Sequence, residues 1–436
     1  MFSMDSIMLF LFSGLLYRKV LILSTFRGTE QVKYATVSLI FILLLVYLLY
    51  DFLHRESADK YKVKYLIFSV FIFFFAIYPL LTSIAIRNQS MLKFEYGEKM
   101  IEKFPGGYKI DPDLACYMLT SDALFETEQA IAFIASGRNP YSENYSNSPV
   151  MAFGEGNPAF VHYVYLPAMF LVPAPFYAAW YRLFGWYDHK IFQLLFYIGI
   201  LFLLTGFVKS PPKKILLMIL FTMNPVILEY FLNGFNDIIL LFWLFLSFLL
   251  LEKKKYTFSL ISFAVACSIK QFSWFFVPFY FLHYKSLSNL DWKELLKKSS
   301  PFFITIGLFF LPFIIWNPGN FIDDTFLCLI GKSAVNYPIG NPNEYGICQI
   351  LKNIGLLDPV KRFPFWILQL LTGIPVCSAL LFKQQRENTI VNLIAGGTLT
   401  LFTFSFFSGI FHVNYIGVIV FLILFTWVLS TDVIDI

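Results

Sequence analysis

The feature that most constrains this chain is a series of apolar runs that recurs between residues 34 and 431. A helix needs about 20 apolar residues to cross the hydrocarbon core of a membrane, and several of the runs reach that length. Hydrophobic residues make up 58% of the 436 positions and charged residues only 14%. The sequence therefore predicts an all-α, multi-pass membrane protein rather than a soluble domain.

Clusters of Lys and Arg between the runs predict the orientation of the helices. Positive residues favour the cytoplasmic side of a membrane, and they gather at residues 54–64, 209–214, 253–255, 285–298 and 383–386. The pattern predicts a bundle of about 10 to 12 transmembrane helices. Full spans are expected at residues 34–53, 64–86, 189–207, 215–231, 238–251, 299–316, 363–382, 389–408 and 414–431. Residues 6–26 are interrupted by Arg18 and Lys19, which leaves open whether they span the membrane or lie at its surface.

Two apolar segments do not fit as single full spans. Both ends of Phe160–Trp186 are predicted to lie outside, and the segment contains several prolines together with Tyr and Trp residues, which favour the membrane–water interface. We therefore expect a helix that lies along the outer leaflet or dips into it, one of two juxtamembrane helices in the first large outer loop. Both ends of residues 253–285 are predicted to lie inside, so this segment is expected to form a helical hairpin with Lys270 and Gln271 at its tip.

Polar residues concentrate on the predicted outer side, above all in a short helix that follows Ser121. Its first turns carry Asp122 and Glu126, and Gly137 with Pro140 predicts its end. A charge at membrane depth is a candidate for function. The polar residues that the topology places on the outer side are Asp122, Glu126, Glu128, Asp188, His189, Asn236, Asp237, Lys270, Gln271, His412 and Asn414.

The main candidates also have structural interpretations. Asp122 fits a helix N-cap, and Glu126 fits a favourable position in the helix dipole. Lys270 fits a buried ion pair, for example with Asp237. His412 fits an interfacial histidine, since no metal-ligand spacing surrounds it.

The sequence lacks the motifs of several other protein classes. It has no P-loop, no dinucleotide fingerprint, no nucleophile elbow and no basic aromatic patch for nucleic acid. No particular cofactor is therefore predicted; a divalent metal stays open, although ligand spacing gives no support for it. Two of the five cysteines, Cys328 and Cys348, share one predicted loop and could form a disulfide if that loop faces an oxidising compartment.

Four groups of residues, taken in order, resemble the GT-C membrane glycosyltransferases. They are Ser121-Asp122-Ala with Gly137-Arg-Asn139-Pro140-Tyr141, Tyr163-Val-Tyr165-Leu-Pro167, Asn224-Pro225 followed by Gly234-Phe-Asn-Asp237, and Ala264-Val-Ala-Cys-Ser-Ile-Lys270. Over about residues 64–285 the chain is most similar to polyprenol-phosphate-mannose-dependent mannosyltransferases. One departure is Asp111-Pro-Asp113, which lies farther from Asp122 than the D-x-D of these enzymes, so neither mannose nor a metal follows from it.

The resemblance implies a GT-C-like bundle with two juxtamembrane helices in its first large outer loop. It also implies transfer of a sugar, either mannose or another hexose or pentose, from a polyprenyl-phosphate donor to a lipid, glycan or protein acceptor. It implies that Asp122 is the catalytic base, that Lys270 lies near the donor phosphate and that the anomeric centre inverts. The reaction is expected on the extracytoplasmic face of the cell membrane, or of the endoplasmic reticulum membrane in a eukaryote. The predicted substrate-binding residues are Glu126, Lys270, Gln271, Asp237, Asn236, His412, Tyr165 and Tyr141.

Two other functions stay open at this point: a transporter or flippase of lipid-linked sugars, and a non-catalytic membrane subunit of polysaccharide assembly. The predicted organisation has three modules. Residues 1–63 form an N-terminal interfacial segment with an additional transmembrane helix. Residues 64–285 form a GT-C-like catalytic module with outer loop 87–188, and residues 286–436 form a C-terminal transmembrane module with outer loop 317–362.

Overall fold

The computed structural model describes residues 2–25, 30–93, 120–146, 148, 150, 157–336, 345–357 and 363–431. Within these ranges the regular secondary structure is helical and no strand occurs, which confirms the predicted all-α fold of a multi-pass membrane protein. The Asp111-Pro-Asp113 motif and Cys116 lie outside the described residues.

Several helices have the length and apolar composition of membrane spans. Among the described residues, three helices reach that length alone: Ala58–Ala85, Phe365–Arg386 and Val413–Ser430. Two bent pairs reach it together, Pro211–Thr222 with Pro225–Leu232 at 55° and Trp292–Lys298 with Ser300–Trp316 at 47°. The second helix of each pair has a proline in its first turn, which cannot continue the preceding helix. Shorter apolar helices are Met4–Leu16, Val37–Leu53, His189–Thr205, Tyr256–Cys267 and Ile390–Phe406.

The chain divides into two compact units. The first combines Met1–Ser121 with Asp188–Phe235, and the second combines Asp122–Tyr187 with Asn236–Ile436. The three predicted modules, residues 1–63, 64–285 and 286–436, divide the chain in a different way and stay a prediction.

Buried ion pairs tie the N-terminal helices of the first unit together. Lys64 Nζ lies 2.6 Å from an Asp5 carboxylate oxygen and 2.8 Å from one of Asp51, and Lys60 Nζ lies 2.9 Å from Asp51. Each of these charges has a partner of opposite sign, which a buried charge requires. The helices of this unit are Met4–Thr25, Glu30–Leu53, Ala58–Ile72, Tyr78–Lys93, His189–Thr205, Pro211–Thr222 and Pro225–Leu232, with a π-helical turn at Phe73–Ile77.

Asp188 and His189, which the topology predicted on the outer side, lie in the first unit at the start of a helix. The Asp188 carboxylate accepts the backbone N–H of Lys190 at 2.9 Å and so caps His189–Thr205. It also lies 3.0 Å from an Arg87 guanidinium nitrogen. The described contacts of Asp188 are those of a cap and a buried ion pair.

The second unit contains the helical hairpin and the C-terminal bundle. Its helices are Asp122–Ala135, Ala168–Leu171, Ala174–Phe184, Asp237–Glu252, Tyr256–Cys267, Val277–Ser288, Trp292–Lys298, Ser300–Trp316, Pro318–Ile322, Ile347–Asn353, Phe365–Arg386, Ile390–Phe406 and Val413–Ser430. Single 3-10 turns occupy Pro140–Ser142 and Pro158–Phe160, a longer 3-10 helix occupies Gln271–Phe276, and a π-helical turn occupies Asp323–Leu327.

The two segments that did not fit as single spans are both interrupted. Phe160–Trp186 contains only the short helices Ala168–Leu171 and Ala174–Phe184. Residues 253–285 contain two helices that end and resume around Lys270. The hydroxyl of Ser273 donates to the carbonyl of Ala266 at 2.9 Å, which supplies a partner at the end of the first of these helices.

Cys267, Cys328, Cys348 and Cys377 are free thiols, so the Cys328–Cys348 disulfide that the shared loop allowed is not formed. Instead, the Cys328 thiol donates a hydrogen bond to the carbonyl of Asp324 at 2.9 Å.

Candidate active site

The helix that carries the predicted base runs from Asp122 to Ala135, as its acidic first turn and apolar stripe predict. Leu124 and Ile131 on that stripe are fully buried. Its end is a Schellman motif, in which Gly137 takes a φ of +74°. The N–H of Gly137 donates to Ile134 at 3.0 Å, and the N–H of Arg138 donates to Phe133 at 2.9 Å.

Asp122 is the first residue of this helix and is half-buried. One carboxylate oxygen accepts the backbone N–H of Ala123 at 2.8 Å, and the other accepts the side-chain amide of Asn157 at 3.1 Å. The N–H is that of the adjacent residue, whereas a capping side chain accepts from the second or third N–H that follows it, so the capping interpretation stays a prediction. The two hydrogen bonds hold the carboxylate in one orientation. The sequence indicated a turn at Asn157-Pro158 but gave no sign that Asn157 contacts the predicted base.

Glu126 lies one helical turn after Asp122, on the same face of the helix. It is 2% exposed, and its Oε1 has no hydrogen-bond partner among the described residues. Burial raises the pKa of Glu126 well above its usual range, and the nearby carboxylates of Asp122 and Asp324 raise it further. The raised pKa favours the protonated form of Glu126, which can donate a hydrogen bond from its hydroxyl.

Lys270 forms a buried ion pair with Asp237, as its structural interpretation predicted. Its Nζ lies 2.6 Å from Oδ1 of Asp237, and the two side chains are 9% and 8% exposed. The other oxygen of Asp237 accepts the side-chain amide of Asn414 at 2.7 Å. One carboxylate therefore joins the hairpin, the helix Asp237–Glu252 and the helix Val413–Ser430.

Three aromatic rings surround the ammonium group of Lys270. The distances from Nζ to the ring centroids are 4.4 Å for Phe272, 5.1 Å for Tyr415 and 5.9 Å for Tyr165. These are cation–π contacts, which are strongest where water is excluded. Tyr165, predicted to bind substrate, thus lies beside the predicted phosphate-binding cation.

His412 directly precedes the helix Val413–Ser430. Burial lowers the pKa of His412, the positive charge of Lys270 lowers it further, and the charges of Asp122 and Asp237 oppose that shift. The charges of Asp122, Asp237 and Lys270 thus all act on the pKa of one imidazole. Four of the predicted site residues, distant in the sequence, are therefore brought together in one unit.

The other predicted site residues hold segments around this group. The Gln271 amide donates to the carbonyls of Val164 at 3.3 Å and Thr325 at 3.1 Å. The Asn236 amide donates to the Thr127 hydroxyl at 2.8 Å. Their substrate-binding roles stay predictions.

Tyr141, the remaining predicted site residue, is 2% exposed. Its hydroxyl donates to the carbonyl of Tyr165 at 2.9 Å, and its ring packs edge-on against Phe313 and Phe321. The hydroxyl therefore has a partner within the protein, and the substrate-binding role of Tyr141 also stays a prediction.

A second polar cluster, centred on His162, was not predicted. Its Nδ1 lies 2.8 Å from an oxygen of Asp324, and its Nε2 lies 2.8 Å from the carbonyl of Val335. The backbone N–H of Tyr163 donates to the other oxygen of Asp324 at 3.0 Å. Asp323-Asp324 stood out in the sequence as an acidic pair, but nothing local pointed to His162 as its partner.

The His162 cluster includes three side chains that are close enough together to hold a metal ion. One ligand atom from each of His162, Asp323 and Asp324 lies within 4.8 Å of the others. The cluster can also be satisfied without a metal. Nε2 of His162 donates a hydrogen bond to the carbonyl of Val335, and a second proton is shared between Nδ1 and the Asp324 carboxylate. Burial raises the pKa of Asp324 to about 6, and the charge of Asp324 raises the pKa of His162 against the effect of burial.

The helical multi-pass architecture brings an acid, a histidine and a lysine surrounded by aromatic rings into one compact unit. Comparison with family models identifies the class of the protein. Residues 141–406 match the model of Glycosyltransferase family 87, a GT-C-type membrane glycosyltransferase family. The match covers well over half of the chain, so the protein belongs to this family and is a membrane glycosyltransferase.

The matched region contains Asp237, Lys270 and the His162 cluster, whereas Asp122 precedes it and His412 follows it. Family membership confirms the predicted GT-C glycosyltransferase but does not fix its sugar. Comparisons with curated proteins and with solved structures gave no match.

Proposed function

We propose that this glycosyltransferase moves a hexosyl or pentosyl group, mannose being the first candidate, from a polyprenyl-phosphate donor to a lipid, glycan or protein acceptor. The observation that carries the proposal is the buried pair of Lys270 and Asp237, 2.6 Å apart, whose charges act together with that of Asp122 on His412. A base, a cation for a phosphate and groups that can bind hydroxyls are the parts that such a transfer needs.

Asp122 is the proposed base. Its two oxygens each accept one hydrogen bond, so lone pairs remain for an incoming hydroxyl. The acceptor oxygen attacks the anomeric carbon while Asp122 takes its proton. The bond from the anomeric carbon to the phosphate oxygen breaks, and the polyprenyl phosphate leaves with the electron pair. A single displacement of this kind inverts the anomeric centre.

Lys270 is the proposed partner of the leaving phosphate. An ammonium group has three donors, and the hydrogen bond to Asp237 uses one of them. The aromatic rings around Nζ exclude water, which strengthens the interaction of the remaining donors with a phosphate. Asp237 therefore positions the lysine in the free enzyme without using all of its donors.

His412 and Glu126 are proposed to orient hydroxyl groups. The lowered pKa of His412 keeps its imidazole neutral near neutral pH, so it can donate at one nitrogen and accept at the other. Protonated Glu126 supplies a hydroxyl donor on the same helix face as Asp122. Asn236, Gln271, Tyr165 and Tyr141 complete the proposed substrate-binding set, with the roles described above.

Purified protein in detergent tests the proposal. It is incubated with radiolabelled polyprenyl-phosphate sugars, mannose first, and with a membrane lipid extract as the source of acceptor. We expect label to enter the extract with wild type and not with Asp122→Asn. A transporter or flippase needs two compartments and a non-catalytic subunit needs its partner, so neither transfers sugar in this assay. Absence of transfer from every polyprenyl-phosphate sugar would overturn the proposal.

The proposed location on the extracytoplasmic face of the cell membrane, or of the endoplasmic reticulum membrane in a eukaryote, has a separate test. Single cysteines are placed at exposed Asn144, within the predicted outer loop 87–188, and at exposed Lys254, in a predicted cytoplasmic cluster. An impermeant thiol reagent applied to intact cells should label the first and not the second. The opposite labelling would contradict the location.

A further inference from the structure

We infer that Asn414 reads the donor sugar: its side-chain carbonyl oxygen accepts a hydrogen bond from a single hydroxyl of the glycosyl group. This assignment rests on the proposed polyprenyl-phosphate sugar donor and adds a specificity-determining residue to it.

The first step concerns the orientation of the Asn414 amide. Its Nδ2 lies 2.7 Å from Oδ2 of Asp237, and the other oxygen of that carboxylate pairs with Lys270 at 2.6 Å. A carboxylate only accepts hydrogen bonds, so the NH₂ group must be the end that faces it. The carbonyl oxygen Oδ1 is therefore held in a fixed direction, away from Asp237.

The second step concerns what Oδ1 contacts. Asn414 is 5% exposed, and its Oδ1 is buried without a hydrogen-bond partner among the described residues. Buried carbonyl groups in native proteins are nearly always satisfied, because losing hydration without a replacement is unfavourable. An oriented, buried acceptor beside a catalytic group points to a donor on a ligand. Hydroxyl groups are the donors that a sugar offers.

The third step distinguishes the donor sugar from the acceptor. Lys270 and Asn414 hold the two oxygens of one carboxylate, so the proposed phosphate-binding cation and the Asn414 amide are separated only by that group. A glycosyl phosphate has its sugar one glycosidic oxygen away from its phosphate. The attacking hydroxyl, by contrast, approaches the opposite face of the anomeric carbon and belongs beside Asp122. A donor whose phosphate lies at Lys270 thus brings its sugar to Asn414.

The test measures binding of the donor, so it needs no acceptor. The probes are farnesyl phosphate mannose and the analogues that each lack one sugar hydroxyl, competed against the radiolabelled parent on the full chain in detergent. The variants are Asn414→Leu, which keeps the approximate size of the side chain without polar atoms, and Asn414→Ala in case the first does not fold. Asn320→Leu is the control, because Asn320 is an exposed asparagine in the same unit.

In wild type and in Asn320→Leu, we expect one analogue to bind about 3- to 10-fold more weakly than the parent, the range of a neutral hydrogen bond. In Asn414→Leu the parent should weaken, and that analogue should bind as well as the parent, while the penalties for the other analogues stay unchanged. An equal loss for every probe would overturn the assignment, because it is the result expected if Asn414 only positions Asp237. If wild type binds none of the probes, the proposed mannosyl donor fails and this assignment fails with it. If wild type binds the probes but Asn414→Leu changes the penalty of no single analogue, only the role of Asn414 is overturned.

Discussion

The Lys270–Asp237 pair can be separated into its structural and its functional contribution by removing its charges one at a time and then together. Both Lys270 and Asp237 are buried. Lys270→Met leaves a buried carboxylate without its cation, and Asp237→Asn leaves a buried ammonium without its anion. Loss of one partner of such a pair destabilises a protein by about 3–5 kcal/mol. Each single variant should therefore unfold at a clearly lower temperature than wild type.

The double variant Asp237→Asn/Lys270→Met should behave differently. It removes both charges, so neither is left buried without a partner, and exchange of a buried ion pair for neutral groups is often neutral or stabilising by about 1–4 kcal/mol. The amide oxygen introduced at position 237 can still accept the Asn414 amide, which donates at 2.7 Å in the wild-type structure. We expect the double variant to regain most of the stability that the single variants lose.

Function should not return with stability. A charge-assisted hydrogen bond to a phosphate contributes about 1.5–3 kcal/mol, so donor use by the double variant should stay roughly ten- to a hundredfold below wild type. Thermal unfolding in detergent measures the first quantity, and transfer from a polyprenyl-phosphate sugar measures the second. A double variant that is stable and transfers sugar at the wild-type rate would refute the phosphate-binding role and leave Lys270 as a structural cation.

Three other predictions concern the acidic residues and His162. Asp122→Asn should lower turnover by about 10² or more with little change in thermal stability, because Asn caps a helix as well as Asp does but accepts no proton. If the variant keeps the wild-type turnover, Asp122 is not the base. Glu126→Gln should leave the unfolding temperature nearly unchanged, since burial raises the pKa of Glu126 and favours the neutral form, which Gln mimics. A large loss of stability would show that its carboxylate is charged. The pKa values of His162 and Asp324 are both raised in the folded state, so the folded chain holds protons that the unfolded chain releases. Stability should therefore fall as the pH rises, from about 4 for Asp324 and from about 6.5 for His162. His162→Gln should remove the part of this fall above pH 6 in a series of unfolding curves, and an unchanged pH profile would contradict the assignment.

Much of the architecture follows from local signals in the sequence. The acidic turn before an apolar stripe predicts the Asp122 helix, and Gly137 predicts its end because the Schellman motif there needs a positive φ. The count of residues between two lysine clusters predicts a hairpin with Lys270 near its tip. These features depend on neighbours in the chain and on the thickness of a membrane, both of which can be evaluated without a structure.

The side-chain partners across long sequence separations could not be predicted with the same security. Asn414 meets Asp237 across 177 positions, and His162 meets Asp324 across 162. Topology placed Asn414 and Asp237 on the same side of the membrane, which is necessary for contact but selects no pair among many polar residues. Nothing near His162 in the sequence distinguishes it from an interfacial histidine, because its two partners come from a segment that packs against it only in the folded chain.

The buried ion pairs of the first unit have a consequence for the stability of its helices in a membrane. Asp5, Asp51, Lys60 and Lys64 are each 3% exposed or less, and they lie on three successive helices. A helix released singly into lipid would carry an unneutralised charge, which is unfavourable at membrane depth. We therefore expect the three helices to be stable in the membrane only when they pack against one another. They precede residue 141, where the family 87 match begins, so this set of mutually neutralising helices lies outside the matched glycosyltransferase region.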